Sequence, residues 1–76
     1  MKILKPNTLE ELRKMQKRYY KLGYTNLSGG PMSLMELDKK IYKGVKAVII
    51  KYPKRKNYFM YYVNKKSFLK KGHRWG

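Results

Sequence analysis

Two stretches, Val45-Lys46-Ala47-Val48-Ile49-Ile50-Lys51-Tyr52 and Tyr58-Phe59-Met60-Tyr61-Tyr62-Val63, are joined by Pro53-Lys54-Arg55-Lys56-Asn57, and together they decide how this chain folds. The first is rich in β-branched residues and stops at a proline, which cannot donate to a strand ladder. The second is aromatic almost throughout. A short basic connection between two such runs predicts an antiparallel hairpin. Side chains alternate along a strand, so Val48 and Ile50 point opposite to Ala47 and Ile49, and Met60 and Tyr62 opposite to Tyr61 and Val63. Both faces are apolar. One face is expected to rest on helices; the other must be covered by a second helix and the C-terminal segment, by a second subunit, or by a ligand.

Ahead of the hairpin, residues 2 to 5 suit a short strand that ends at Pro6. A helix follows. Thr8 is its expected N-cap, with Glu11 three residues later returning the contact as a capping box, and Gly23 is its stop. Leu9, Leu12, Met15, Tyr19 and Leu22 fall on one arc of about 140° when each residue advances by about 100°, which marks the core face. Arg13, Lys14, Lys17, Arg18 and Lys21 occupy a second arc of similar width on the opposite side. Glu10 can pair with Lys14 at i,i+4. A charged helix face is ordinarily solvated surface, but five cations with so little acid beside them make a binding face the sharper reading.

Between helix and hairpin, Tyr24 to Leu27 suits another short strand and Thr25-Asn26-Leu27-Ser28-Gly29-Gly30-Pro31 is turn-rich. Ser33 and Glu36 repeat the capping box. They predict a second helix from about Leu34 to Tyr42, with Leu34, Leu37 and Ile41 on one side and an end at Gly44. After Asn64, Phe68, Leu69 and Trp75 suggest a turn of helix that docks back, followed by a short final segment. The expected fold is α+β, one or two helices packed on a small antiparallel sheet built around a β-hairpin, with residues 1–76 a single small basic domain.

Composition bounds function more tightly than any motif. Twenty of the 76 residues are Lys or Arg against four Asp or Glu, a formal charge of +16. A compact domain so charged repels itself, and its surface makes most sense beside something negative. A chain this short buries only about 60% of the surface its unfolded form exposes. With no cysteine, neither a disulfide nor a thiolate zinc site can staple it, and the single histidine, His73, cannot build a metal site alone. No stretch reads as a signal peptide or approaches the roughly 20 apolar residues of a membrane span, so the expectation is a soluble cytoplasmic protein with no membrane contact. No cofactor is expected.

The hairpin is the main chemical constellation. Lys51, Lys54, Arg55 and Lys56 lie where they can reach phosphates, while Tyr58 and Tyr61, with Tyr52, Phe59 and Tyr62 beside them, offer rings for stacking unpaired bases. Lys56 to Val63 faintly resembles the aromatic motif of RNA-recognition strands, without that motif's glycines. The same aromatics equally suit a strand and a core. Ser28-Gly29-Gly30 can form a backbone nest for an anion, although a plain turn explains it as well. Leu27-Ser28-Gly29-Gly30 also spells most of the signature of ATP-binding-cassette ATPases, a match excluded by the absence of a Gly-x-x-x-x-Gly-Lys-Ser/Thr loop. With Glu10, Glu11 and Glu36 assigned to helix starts, Asp38 is the only free carboxylate. That is too little for metal-assisted or acid–base chemistry, so no enzyme is expected. His73 reads as a surface or packing residue and not a catalyst, and Trp75 as a plug on the core in preference to a base-stacking platform.

The order of these features, a capped helix running into Leu22-Gly23-Tyr24, a Gly-rich loop, a strand pair and a closing Lys70-Lys71-Gly72-His73 with an aromatic after it, resembles small accessory proteins encoded by phages and other viruses. The resemblance covers most of the chain, and the strong basicity here departs from the acidic or mixed surfaces more common in that group. It implies a short protein expressed in an infected prokaryote that acts by binding, and it assigns no site residue. Three readings are therefore expected in order. The first is a nucleic-acid-binding protein (DNA or RNA) that acts through phosphates with little sequence selectivity. The second is an inhibitor or adaptor that binds an acidic host protein or ribonucleoprotein such as a defence nuclease. The third is a sponge for phosphorylated signalling nucleotides, probed with cyclic dinucleotides, whose closed pocket would lie between two subunits of a homodimer.

Overall fold

The computed structural model describes residues 2–27 and 30–72. Ser28 and Gly29 of the supposed nest, and His73, Arg74 and Trp75, lie outside the described residues. In chain order the elements are β1 (Lys2–Leu4), α1 (Leu9–Lys21), β2 (Tyr24–Asn26), α2 (Leu34–Lys40), β3 (Ala47–Lys51), β4 (Phe59–Asn64) and α3 (Lys65–Lys70). The fold is α+β, and the four strands form one sheet in the order β1-β3-β4-β2.

The hairpin stands at the centre of that sheet. β3 and β4 pair antiparallel from Ala47 opposite Val63 to Lys51 opposite Phe59, and Tyr52 N–H donates to the Tyr58 carbonyl at 2.8 Å to close the turn. β2 adds to the free edge of β4 in antiparallel register, Tyr24 opposite Asn64. The chain then continues along β4, where Met32 and Phe59 exchange two backbone hydrogen bonds of 2.8 Å. The sheet is not wholly antiparallel, because β1 lies parallel to β3, with Ile3 opposite Ile49. That pairing follows from the route of the chain: with β4 already on one edge of β3, the apolar Ile3-Leu4 segment takes the other, and α1 carries the chain across the hairpin to β2.

Both faces of the sheet are covered within one chain. α1 lays Leu12, Met15 and Tyr19 on the face formed by Val48, Ile50, Met60 and Tyr62. On the other face Leu37 from α2 and Phe68 from α3 pack against Ile49, Tyr61 and Val63. Of the three covers expected for the second face, the helix and C-terminal segment are the one realised, so the hairpin needs neither a partner subunit nor a ligand to hide it.

The contact stripe of α1 is narrower than its apolar arc. Leu9 and Leu22, at the two margins, are exposed, and between them Gln16 turns inward and donates from its amide to the Tyr62 hydroxyl at 2.9 Å. A polar residue on a core face is costly only if unpaired, and this one satisfies the buried phenol it meets. Thr8 caps α1 as expected, accepting from Glu11 N–H at 3.2 Å, but the Glu11 carboxylate accepts from Asn7 N–H at 2.8 Å instead of closing a box with Thr8. At Ser33 the full box forms, with Ser33 Oγ accepting from Glu36 N–H and the Glu36 carboxylate from Ser33 N–H.

α2 stops at Lys40, short of the expected Tyr42 and of Gly44. Ile41 is already extended, because Tyr42 is drawn to the core: its N–H donates to the Tyr61 hydroxyl at 3.2 Å and its ring meets Phe68 edge-on at 5.3 Å. Only Leu37 of the expected apolar side is therefore buried, and Leu34 and Ile41 are exposed. Asn64, the last residue of β4, caps α3, its side chain accepting from Ser67 N–H at 3.0 Å.

Candidate nucleic-acid interface

Because α1 lies flat on the sheet through the Leu12 side, its opposite face is turned to solvent along its whole length, about 20 Å for 13 residues. Arg13, Lys14, Lys17, Arg18 and Lys21 all stand exposed there. Arg18 and Lys21 also fall in the last turn, where the helix dipole favours cations. Lys14, Lys17, Arg18 and Lys21 border a shallow groove with Leu22. Among the described residues the chain makes a single ion pair, Lys14 Nζ to Glu10 Oε1 at 3.9 Å, and both partners are exposed. Such a pair contributes little. Glu11 and Glu36 are engaged with backbone N–H groups at the two helix starts. The cationic face is thus almost unneutralised by the protein itself.

The far end of α1 is tied to α3. Lys65 N–H donates to the Gly23 carbonyl at 3.0 Å, and Gly23 supplies the positive φ of 89° that turns the chain there. Beyond this junction Lys46, Lys66, Lys70 and Lys71 line a cleft with Gly44, Asn64 and Ser67. Lys46 is fixed by its N–H to Ser67 Oγ at 3.0 Å and by its carbonyl, which accepts from Asn64 N–H at 2.8 Å. Gly44, at φ 77°, lets the Lys71 stem pass so closely that a Cβ there would lie 3.1 Å from Cε. Sequence reasoning saw the basic C-terminal run but not this cleft, because Lys46 joins it only through the fold.

The hairpin cations form a separate patch. Lys54, Arg55 and Lys56 are exposed in the turn, with Lys54 at a positive φ of 62°, while Lys51 is half-buried at the end of β3. Lys54 borders a recess with Thr8 and Leu9, so the turn lies beside the start of α1, at the opposite end of the sheet from Gly23 and α3. The two proposed stackers separate sharply. Tyr58 is 46% exposed, with the Arg55 guanidinium 5.5 Å from its ring centre. Tyr61 is 0% exposed, in the core beneath α2 and α3, and its ring is not available to a base. Tyr62 is likewise buried. A ring that sequence reasoning passed over is Tyr20, 53% exposed and edge-on to Tyr62 at 5.9 Å. The signal was present, since at 100° per residue Tyr20 falls between the apolar and cationic arcs, next to Arg13.

Burial raises the Tyr61 and Tyr62 hydroxyls above the ordinary value of 10.0, and the Gln16 hydrogen bond offsets part of the effect at Tyr62. The unfolded chain then releases these protons first, so stability is unaffected below pH 10 and falls as pH rises past it. In an alkaline titration followed by tyrosinate absorbance, Tyr61 and Tyr62 are expected to ionise late, together with unfolding. Tyr61→Phe and Tyr62→Phe should each remove one late step; loss of no late step in either variant of a still-folded protein would contradict the burial.

Among the described residues no three His, Cys, Asp or Glu side chains converge to hold a metal ion, and no helix is long and apolar enough to cross a membrane. Comparison with protein-family models, with curated proteins and with solved structures gives no significant match.

Proposed function

We propose that this protein binds nucleic acid through its phosphates, with the outward face of α1 as the principal contact surface and little selectivity for sequence. The observation that carries the reading is the face itself: five cations along about 20 Å of helix, balanced by one weak ion pair. A duplex carries one negative charge per about 1.7 Å of axis, so such a face can meet several phosphates and release their counterions. Low selectivity is part of the proposal: Lys14, Lys17 and Lys21 suit phosphate as point charges, and Arg13 and Arg18, whose forks fit guanine as well, are assigned to phosphates beside them. The one side-chain amide on α1, Gln16, is spent on Tyr62, and no Asn or Gln remains on the solvent side to read a base edge. Tyr58 and Tyr20 supply exposed rings for unpaired bases.

An inhibitor would meet an acidic host protein through opposite charge and hold it with an exposed apolar hairpin face; the charge is present, but that face is covered by α2 and α3. The nucleotide-sponge reading needs a closed cationic pocket between two subunits; within one chain the lysines bordering both basic recesses are exposed, so nothing in the single chain favours it over the phosphate-backbone reading. The proposal includes a virus-encoded accessory role in a prokaryotic cytoplasm, which rests on the sequence resemblance around Leu22-Gly23-Tyr24 alone. Pull-down from host lysate separates the classes. Nucleic acid is expected to co-purify and to leave on exhaustive nuclease treatment, with no protein retained in stoichiometric amount. A protein partner that survives the nuclease would overturn the proposal.

A further inference from the structure

We infer that the cleft of Lys46, Lys66, Lys70 and Lys71 is a second phosphate site, so that one molecule holds two nucleic-acid segments together. The inference rests on the reading of α1 as a phosphate-binding face. Its first support is sidedness. α1 covers the face of Val48, Ile50 and Tyr62, whereas α3 packs through Phe68 on the face of Ile49, Tyr61 and Val63, so the two helices lie on opposite faces of the sheet and meet at one end, where Lys65 N–H donates to the Gly23 carbonyl.

Convergence is the second support. A run of lysines on one short helix is ordinary solvated surface, but Lys46 comes from twenty residues upstream of Lys66 and is held in place by two backbone hydrogen bonds, to Ser67 Oγ and from Asn64 N–H. Lys71 is seated on Gly44. Among the described residues none of the four ammonium groups has an acidic partner, although Glu36 and Asp38 belong to the neighbouring α2. Four like charges gathered by the fold and left unpaired are stabilised by an anion, and phosphate oxygens suit lysine as a point charge.

Two segments are favoured over one that wraps. The body between the surfaces is thin, with extents of 35 × 28 × 20 Å. A duplex with a persistence length of about 150 bp bends sharply around so small an object only at a cost of several kcal/mol. A second, straight duplex meets the cleft without that cost.

The test is a capture assay with the full chain. One duplex is fixed to beads, protein is added below saturation, and a labelled second duplex of unrelated sequence is supplied in solution. The wild type should retain the labelled duplex. A variant carrying K46Q, K66Q, K70Q and K71Q, all at exposed positions and checked for folding by circular dichroism, should bind the immobilised duplex within about 5-fold of wild type and lose at least about 10-fold of the capture. Undiminished capture by this variant would mean bridging through protein pairs and would overturn the inference. Binding of the wild type to the beads with no capture would overturn it too while leaving α1 as a single site. No binding to the beads at all would remove the reading of α1 and this one with it.

Discussion

Replacing Arg13, Lys14, Lys17, Arg18 and Lys21 together by glutamine is expected to weaken duplex binding by at least about 10-fold at 0.1 M salt, because each phosphate contact counts for roughly 8-fold over a 1 M reference. What remains is then the affinity expected of the proposed four-lysine site. Glutamine is chosen because its helix propensity is close to that of Arg and Lys, and because all five positions are exposed, so α1 should persist. The informative control removes as much charge from elsewhere. Lys2, Lys5, Lys39, Lys40 and Lys43 are also exposed, and their replacement by glutamine takes five charges from the same +16. That variant should lose less than about 5-fold, since long-range attraction between exposed charges is largely screened at this salt. Equal losses in the two variants would mean that net charge, and not the α1 face, carries the binding.

The largest effect on stability is expected at Tyr61. Its ring is wholly buried among Leu37, Ile49 and Phe68, and its hydroxyl accepts the Tyr42 N–H at 3.2 Å. Truncating a buried aromatic to alanine costs about 3–5 kcal/mol, and a domain of this size has only about 4–11 kcal/mol in total. Tyr61→Ala should therefore be partly or wholly unfolded at 37 °C by circular dichroism. Tyr61→Phe keeps the packing and strands one N–H, a loss of about 1–3 kcal/mol. Tyr58→Ala, at an exposed ring, should change stability by less than about 1 kcal/mol. If Tyr61→Ala folds normally and binds nucleic acid poorly, the ring is a contact residue and its place in the core is wrong.

These two experiments mark where the sequence was legible and where it was not. The helix face of Arg13 to Lys21 could be read because α-helical periodicity is local: five cations sort to one side whatever the rest of the chain does. The caps at Thr8 and Ser33 and the positive φ at Gly23 are local in the same sense. The hairpin tyrosines could not be sorted. Alternation says that Tyr61 and Tyr62 point to opposite faces, but only the placing of α2 and α3 on one face and α1 on the other shows that both are buried. The parallel pairing of β1 with β3 joins residues more than forty positions apart and leaves no periodic trace. Gln16 breaks the apolar arc and would be taken for a surface residue, until the Tyr62 hydroxyl it serves is known. The lysine cleft was hidden for the same reason, since two of its seven lining residues are Gly44 and Lys46, which are near α3 only in the folded chain.

Capping and burial account for the chain's stability, and its cationic surface carries the proposal that the partner is an anion. The salt dependence of binding tests that claim most directly. For the wild type with a labelled duplex of mixed sequence, followed by fluorescence anisotropy, five phosphate contacts give a log–log slope of about −4.5, so affinity should fall about 500-fold between 50 and 200 mM salt. An affinity that stays flat over this range, or falls with a slope shallower than about −1, would contradict binding through the phosphates.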